Sequence, residues 1–358
     1  MIRLERRRQP STLMLWLAPP LALVLTVLTG MALFVGLGAD PVQTIMVIFV
    51  TPFSSLYNLS ELQVKATPLI MIAIGLSLGF RAGVWNIGAE GQFTIGALAG
   101  GAAALAFHGD GGVPQAILVW LAGMGGGMAW AAIPAWLRTR FGANEILVSL
   151  MLVYVATLLL SALVTGPLRD PDGFNFPESR LFEDWATMPL LIGGTRAHVG
   201  FLVALLAAFG AWFLLGRHVV GFQIRLMGEA PRATRFAGFV EQRIVWICLL
   251  CSGGLAGLAG MFEATGPVGQ LVPGLPVGYG FTAIIVAFLG RLNPLGIVLA
   301  GLIMAVTYLG GEAAQVKMGL PDAVTAVFQG LLLFFLLGTD VFAAYRLRIG
   351  RRATAGAA

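Results

Sequence analysis

Charge is scarce in this 358-residue chain: 11% of its residues are Asp, Glu, Lys or Arg, against roughly a quarter in a soluble domain. Lysine occurs twice, as Lys65 before Ala66 and Lys317 before Met318. A P-loop needs a lysine beside Ser or Thr after a glycine-rich turn, because the ammonium must reach the phosphates. Neither lysine qualifies, so that nucleotide site is excluded. The 3 histidines, His108, His198 and His218, stand far apart at expected loop edges, and the 2 cysteines, Cys248 and Cys251, form C-L-L-C within an apolar run. A metal centre needs more ligands than that, and both cysteines read as buried, inert thiols. A serine–histidine enzyme would need its nucleophile on a strand-to-helix elbow, and none is expected here. The sequence therefore offers no catalytic residue, no metal site and no cofactor of its own.

What the chain has in quantity is apolar surface: 58% hydrophobic residues and a mean hydropathy of +0.88. These values define an all-α, polytopic membrane protein. Taking about 20 apolar residues per span, ten helices are expected near 13–37, 67–82, 88–107, 113–137, 146–166, 198–216, 243–264, 276–290, 294–313 and 321–342. A stretch of about a dozen apolar residues between the first two is too short to span and reads as an interfacial helix. The basic start, "MIRLERRRQP", precedes an apolar run too long for a signal-peptide core, which reads as a retained first span. Placing both termini in the cytoplasm puts 17 of the 22 basic residues inside and leaves Lys65, Arg169, Arg180, Arg196 and Lys317 outside. A one-span error would destroy that asymmetry. Orientation accounts for the net charge of +5, and no nucleic-acid partner is expected. The 48 glycines fit close helix approach in lipid.

A single transmembrane domain, 1–358, thus carries a basic cytoplasmic N-terminus (1–12), an outer loop (166–197), an inner loop (217–242) and a cytoplasmic tail (343–358). The outer loop, with its acidic, aromatic and proline residues, is either an interaction surface or gate, or a solvated connector. Glu263, Glu312, Asp322 and Asp340 fall near span ends, where water can reach them; a carrier driven by protons or sodium would show carboxylates deeper in its helices. The inner loop contains "LMGEAPRATRFAGF". Gly228, Glu229 and Ala230 lead into Pro231, which suits a first helical turn. Ala233, Phe236 and Ala237 then share one face, Arg232 and Arg235 an adjacent one, and Gly238 ends the helix. Such a two-turn helix either lies on lipid head groups or inserts into a groove of another protein.

One stretch is anomalous. "GVWNIGAEGQFTIGALAG", Gly83–Gly100, places Asn86, Glu90 and Gln92 between two oily runs. As one helix, Pro68 to Phe107 would be about 60 Å long at about 1.5 Å per residue, roughly twice the hydrocarbon thickness. It must break, and the midpoint falls at Ile87. Asn86 would suit the N-cap of the returning helix with Glu90 in its first turn; alternatively the break lies deeper and Asn86, Glu90 and Gln92 line a substrate route.

The segment "ATPLIMIAIGLSLGFRAGVWNIGAEGQFTIGALAG", the loop "GANEI" (Gly142–Ile146), "GEAPRATRFAG", "SGGLAGLAG" (Ser252–Gly260) and "AFLGRLNPLGIVLAG" (Ala287–Gly301) together resemble permease subunits of ABC importers for nucleosides and simple sugars, in the branched-chain amino acid/ribose permease superfamily. N-I-G-A-E-G-Q is the block most specific to the nucleoside type. The resemblance implies a permease that translocates nucleosides across the bacterial inner membrane by alternating access, or else ribose or another simple sugar. It also implies that Gly228–Gly238 is the helix that couples to a separate ATPase subunit, which would carry ATP and Mg. A second homologous permease and an extracytoplasmic substrate-binding lipoprotein are the other implied partners, besides membrane lipid. The small-residue stripes "GMGGGMAW" (Gly123–Trp130) and "SGGLAGLAG" are candidates either for the contact with the second permease or for packing within one subunit. The competing classes are an ion-coupled secondary carrier and a membrane-embedded enzyme, the latter disfavoured by the lack of an intramembrane catalytic pair.

Overall fold

Lipid offers a peptide group no hydrogen-bond partner, so a chain that crosses it folds into helices that satisfy their own backbone. The computed structural model describes residues 2–6, 12–321 and 323–349. Expectations resting on Arg7, Arg8, Asp322, Arg351 and Arg352, and on the side chain of Asp340, lie outside the described residues. The helices are α1 (Thr12–Gly36), α2 (Pro41–Val50), α3 (Leu56–Arg81), α4 (Ala89–Ala106), α5 (Val113–Phe141), α6 (Glu145–Thr165), α7 (Gly200–Arg217), α8 (Val219–Glu229), α9 (Pro231–Phe236), α10 (Glu241–Glu263), α11 (Tyr279–Leu289), α12 (Pro294–Met318) and α13 (Ala323–Ala344). A 3-10 turn covers Thr51–Phe53, a π-helical turn extends α10 over Ala264–Val268, and β1 (Ile2–Arg6) pairs antiparallel with β2 (Tyr345–Ile349). The protein is an all-α polytopic membrane protein. Among the described residues, seven helices, α1, α3, α5, α6, α7, α10 and α12, are long and apolar enough to cross a bilayer.

Each of the ten expected segments contains a helix, with three departures. The span placed at 67–82 begins eleven residues earlier, at Leu56, where Ser55 caps it by accepting from the Asn58 amide at 3.1 Å. Its polar first turns belong to the stretch expected as an interfacial helix, but Glu61 is buried against Arg196, as described below. The span placed at 276–290 shrinks to α11, whose 11 residues reach about 16 Å, half the hydrocarbon thickness. The inner loop is also more ordered than expected, because α8 packs Ile224 and Met227 into a core with Leu78, Ala82, Val84, Leu215, Ile244 and Cys248. Cys251, expected to be buried, is exposed, whereas Cys248 is buried.

The chain sorts into two compact units, 52–309 and the paired segments 1–51 and 310–358. In the second unit α1 runs along α13, tied where the Thr339 hydroxyl donates to the Ala18 carbonyl at 3.2 Å. Its apolar cluster is Phe34, Ile48, Ala314, Leu320 and Phe328. A short helix does follow the first span, α2: Asp40 caps it by accepting from the Val42 and Gln43 amides at 2.8 and 2.9 Å, and Pro41 takes the first position.

The unit 52–309 is built around α3, α4, α5 and α10. α3 is buried along most of its length, whereas α6 presents Leu147, Met151, Tyr154 and Leu158 outward, the apolar stripe a lipid-facing helix needs. The central helices meet backbone to backbone at glycines. A Cβ on Gly257 would lie 2.7 Å from the Gly127 Cα and closer still to the Gly123 carbonyl oxygen, while one on Gly96 would collide with Gly257 itself. Gly254 faces Met124 and Met128, and Gly260 meets the Phe93 carbonyl. Gly123, Gly126 and Gly127 of the first stripe and Gly253, Gly254, Gly257 and Gly260 of the second are therefore used in packing α4, α5 and α10 of the same chain, while Gly125 stays on an open face. Small residues in lipid act by letting backbones approach, and here they do so internally.

Gly257→Val is expected to cost about 3 kcal/mol, the upper end of overpacking because backbone cannot yield, and to reduce the yield of monodisperse, folded protein in detergent severalfold. Gly125→Val, where an added Cβ meets nothing within 4 Å, is expected to leave that yield unchanged.

Candidate functional site

The break between α3 and α4 follows from local chemistry. α3 ends in a Schellman arrangement: the Val84 amide donates to the Gly79 carbonyl at 2.8 Å, the Gly83 amide to Phe80 at 3.2 Å, and Gly83 takes φ +71, which glycine adopts without penalty. α4 starts at Ala89 with Gly88 as its N-cap and no capping side chain. Asn86, expected at that cap, is engaged otherwise. Its Oδ1 accepts from the Gly88 amide at 3.2 Å and from Gln92 Nε2 at 3.0 Å, and its Nδ2 donates to Gln92 Oε1 at 2.8 Å and to Ser252 Oγ at 2.9 Å. All four hydrogen-bonding positions of the amide are filled, because α4 carries Gln92 back over the break as a matching amide. Asn86 and Gln92 are each 1% exposed.

Glu90 does lie in the first turn of α4, yet its carboxylate serves another helix. Oε1 accepts from the Gly278 amide at 2.7 Å and Oε2 from the Gly280 amide. These are the first amides of α11, whose N-cap Gly278 sits at φ +88, so a negative group meets the positive end of the helix dipole. Gly280 must be glycine: an added Cβ would stand 2.6 Å from the Glu90 Cα. On the other side of the break Arg81 Nε donates to the Leu292 carbonyl at 3.0 Å, just beyond the end of α11. Phe80 and Trp85 stack on Phe288 with centroids 5.3 and 6.1 Å apart. The "GANEI" loop adds a third support: Gly142 closes α5 at φ +67, Asn144 caps α6, and Glu145, paired with Arg138, accepts from the Trp85 amide at 3.3 Å.

Part of the outer loop is docked, while residues such as Phe174, Phe176 and Leu181 are exposed. Its Ser179, Phe182 and Met188 amides donate to the Leu271, Gly269 and Thr265 carbonyls at 3.0, 2.9 and 3.0 Å, covering the segment that leads into α11. Arg196 grips Glu61 of α3 with two hydrogen bonds, 2.8 and 2.7 Å. Glu263, expected at a watery span end, is buried, and Glu312 is exposed. His198 is buried too; its Nδ1 accepts from the Gly200 amide at 3.1 Å, which fixes the neutral ring with its proton on Nε2. Burial, and then the Arg196 charge, push its pKa down to about 4.

On the inner side the residues expected to couple fall into two sets. Gly228 and Glu229 end α8, and Gly228 packs directly on the Arg81 carbonyl. Ala230 caps α9, Pro231 opens it, and Gly238 follows it at φ +79. Arg232, Ala233, Arg235, Phe236 and Ala237 are exposed, Phe236 at 98%. Only Thr234 of α9 faces inward, and Arg235 bonds Glu241 at 2.7 Å.

The string Gly75-Leu-Ser77-Leu-Gly79 does match a serine-elbow pattern that was not expected, but it lies inside α3. Ser77 donates to the Ile74 carbonyl at 2.7 Å and is fully buried, so it presents no nucleophile.

Comparison with known proteins decides between the remaining classes. The family model for the permease component of branched-chain amino acid transport systems matches residues 58–337. The chain belongs to this family. The permease is 37% identical to the glucose ABC transporter permease protein TsgB13 of Haloferax volcanii, over 97% of this chain and 94% of that one. It is 28% identical to the guanosine ABC transporter permease protein NupP of Bacillus subtilis, over 89% and 92% of the two chains, and 25% identical to the nucleoside ABC transporter permease protein NupB of Lactococcus lactis, over 89% and 90%. No solved structure matches the chain. The permease is thus the membrane-spanning subunit of an ABC importer, a transport component and not an enzyme, and a multi-pass protein of the inner (cytoplasmic) membrane. Its family implies an ATPase and a substrate-binding protein as partners.

Sequence reasoning found Asn86, Glu90 and Gln92 but not what they touch: Ser252, Gly278 and Gly280 lie 166 to 190 residues away. "SGGLAGLAG" opens with Ser252, and Gly278-Tyr-Gly280 was visible as a glycine pair, but neither carries a sign of its partner.

Two outcomes are expected. Asn86→Ala leaves the Gln92 amide and the Ser252 hydroxyl without their shared partner; at about 1–3 kcal/mol per unsatisfied buried group, the purified permease should show a clearly lower melting temperature. For His198, the unfolded chain takes up a proton below about pH 6.5 while the folded chain resists until about 4, so stability should fall as pH is lowered through that window. Melting temperatures of wild type and His198→Gln between pH 4 and 7.5 check this, the variant losing the dependence.

Proposed function

We propose that the permease imports nucleosides, as one half of a heterodimer with a second homologous permease, and that α9 is its coupling helix. The substrate reading is supported by the likeness to guanosine and nucleoside permeases over most of the chain and by the Asn86–Gln92 block. A simple sugar is the second reading, favoured by the 37% identity to a glucose permease; ribose within a nucleoside offers similar hydroxyl chemistry. ATP and Mg would be bound by the ATPase, which closes on nucleotide and moves the coupling helices. Only a difference in affinity between two states can drive such a switch.

The observation that carries the coupling role is the exposure of Ala233, Phe236 and Ala237 together, an apolar ridge beside Arg232. A helix of six residues cannot be stable alone, so its shape depends on the Thr234 anchor and the Arg235–Glu241 pair, leaving the ridge free for a groove on the ATPase. From there a path runs through α8 and Gly228 to Arg81, beside the break. Calorimetric titration of the cognate binding protein with guanosine, adenosine, ribose and glucose tests the substrate: nucleosides binding at least tenfold tighter support the proposal, and glucose binding tighter refutes it. Arg232→Glu and Ala233→Trp are each expected to lower ATP-driven uptake at least tenfold with ligand binding by the binding protein normal. Uptake at the wild-type level would refute docking through α9.

A further inference from the structure

α11 is held at both poles by the two charged residues that bracket the α3–α4 break. Glu90 accepts from the Gly278 and Gly280 amides at its N-terminus, and Arg81 donates to the Leu292 carbonyl beyond its C-terminus. Each charge has the sign that suits its end of the helix dipole. Between the poles, Phe80 and Trp85 stack on Phe288, and the Gly280 backbone touches that of Glu90. We infer that α11 and the α3–α4 break form one rigid body that moves as a unit during transport, with Arg81 and Glu90 as its positioning residues.

The alternative, in which α11 swings against α4, requires the Gly278 and Gly280 amides to leave Glu90 in one state. Nothing in lipid replaces a carboxylate as acceptor, and a buried ionised carboxylate without donors is costly. At the other pole Gly228 of α8 packs on the Arg81 main-chain carbonyl, so a displacement of the inner loop bears on the backbone of the residue whose side chain holds the Leu292 carbonyl. Glu90 is needed as a carboxylate because both its oxygens accept. A glutamine has one oxygen, and its NH2 group would face the Gly280 N–H.

The inference rests on the transport reading, and its test separates the two. The assembled complex in lipid nanodiscs is followed by hydrogen–deuterium exchange with and without a non-hydrolysable ATP analogue. The peptide covering Gly278–Gly280 is expected to remain protected in both states; deprotection in either one overturns the inference. In a Cys248→Ser, Cys251→Ser background, Trp85→Cys with Phe288→Cys is bridged by a short, reducible thiol reagent. Uptake within twofold of the unbridged protein is expected, and uptake lost on bridging and restored by reduction overturns the rigid unit. Glu90→Gln is expected to expose the Gly278–Gly280 peptide and to lower uptake per ATP hydrolysed at least tenfold in the complex that assembles. A purely structural role would lower uptake and ATPase together, by the amount of complex lost. Absence of uptake by the wild-type complex would instead defeat the transport reading itself.

Discussion

An interrupted helix in a membrane leaves peptide and side-chain polar groups that lipid cannot satisfy, and this protein interrupts its buried centre twice: between α3 and α4, and between the α10 extension and α11. The two interruptions supply each other's partners. Glu90, beside the first, receives the amides freed at the second; Arg81, on the far side of the first, takes a carbonyl beyond the end of α11. Asn86, Gln92 and Ser252 close the remaining amide positions, and the outer loop covers the approach to α11 with backbone hydrogen bonds.

That mutual arrangement is possible because the surrounding helices touch through backbone. Gly96, Gly123, Gly127, Gly253 and Gly257 bring α4, α5 and α10 within reach of one another, and Ser252, the residue before Gly253, is thereby close enough to Asn86. A bulkier seam would separate α10 from the break by a side-chain layer and leave the Asn86 amide one partner short. The glycines and the polar stretch, which look like separate features of the sequence, are two parts of one requirement.

Hydropathy located the outer helices well, since α1, α5, α6 and α7 each leave an apolar face exposed. It failed where polarity is satisfied inside the protein. Glu61 falls within the stretch expected as a separate interfacial helix, although Arg196, 135 residues on, lets it sit in the buried start of α3. Glu90 does lie in the expected first turn of α4, but its partners are backbone amides of α11 with no side-chain signature. α11 looked like a span because apolar length counts residues, not the turn that consumes them before Tyr279. By contrast the ends of α9 were readable from Pro231 and Gly238, because local φ requirements belong to single residues.

The buried carboxylates Glu61 and Glu90 are thus committed to protein donors, and buried Glu263 faces the Tyr279 hydroxyl at 3.5 Å; the family places the energy source in an ATPase partner. The most direct test is uptake by the reconstituted permease in proteoliposomes, with the proposed nucleoside, labelled, delivered by its binding protein, comparing internal ATP plus the ATPase subunit against a proton or sodium gradient without it. The account predicts accumulation only with ATP and the ATPase, and none with either gradient alone. Accumulation driven by a gradient in the absence of the ATPase would contradict it.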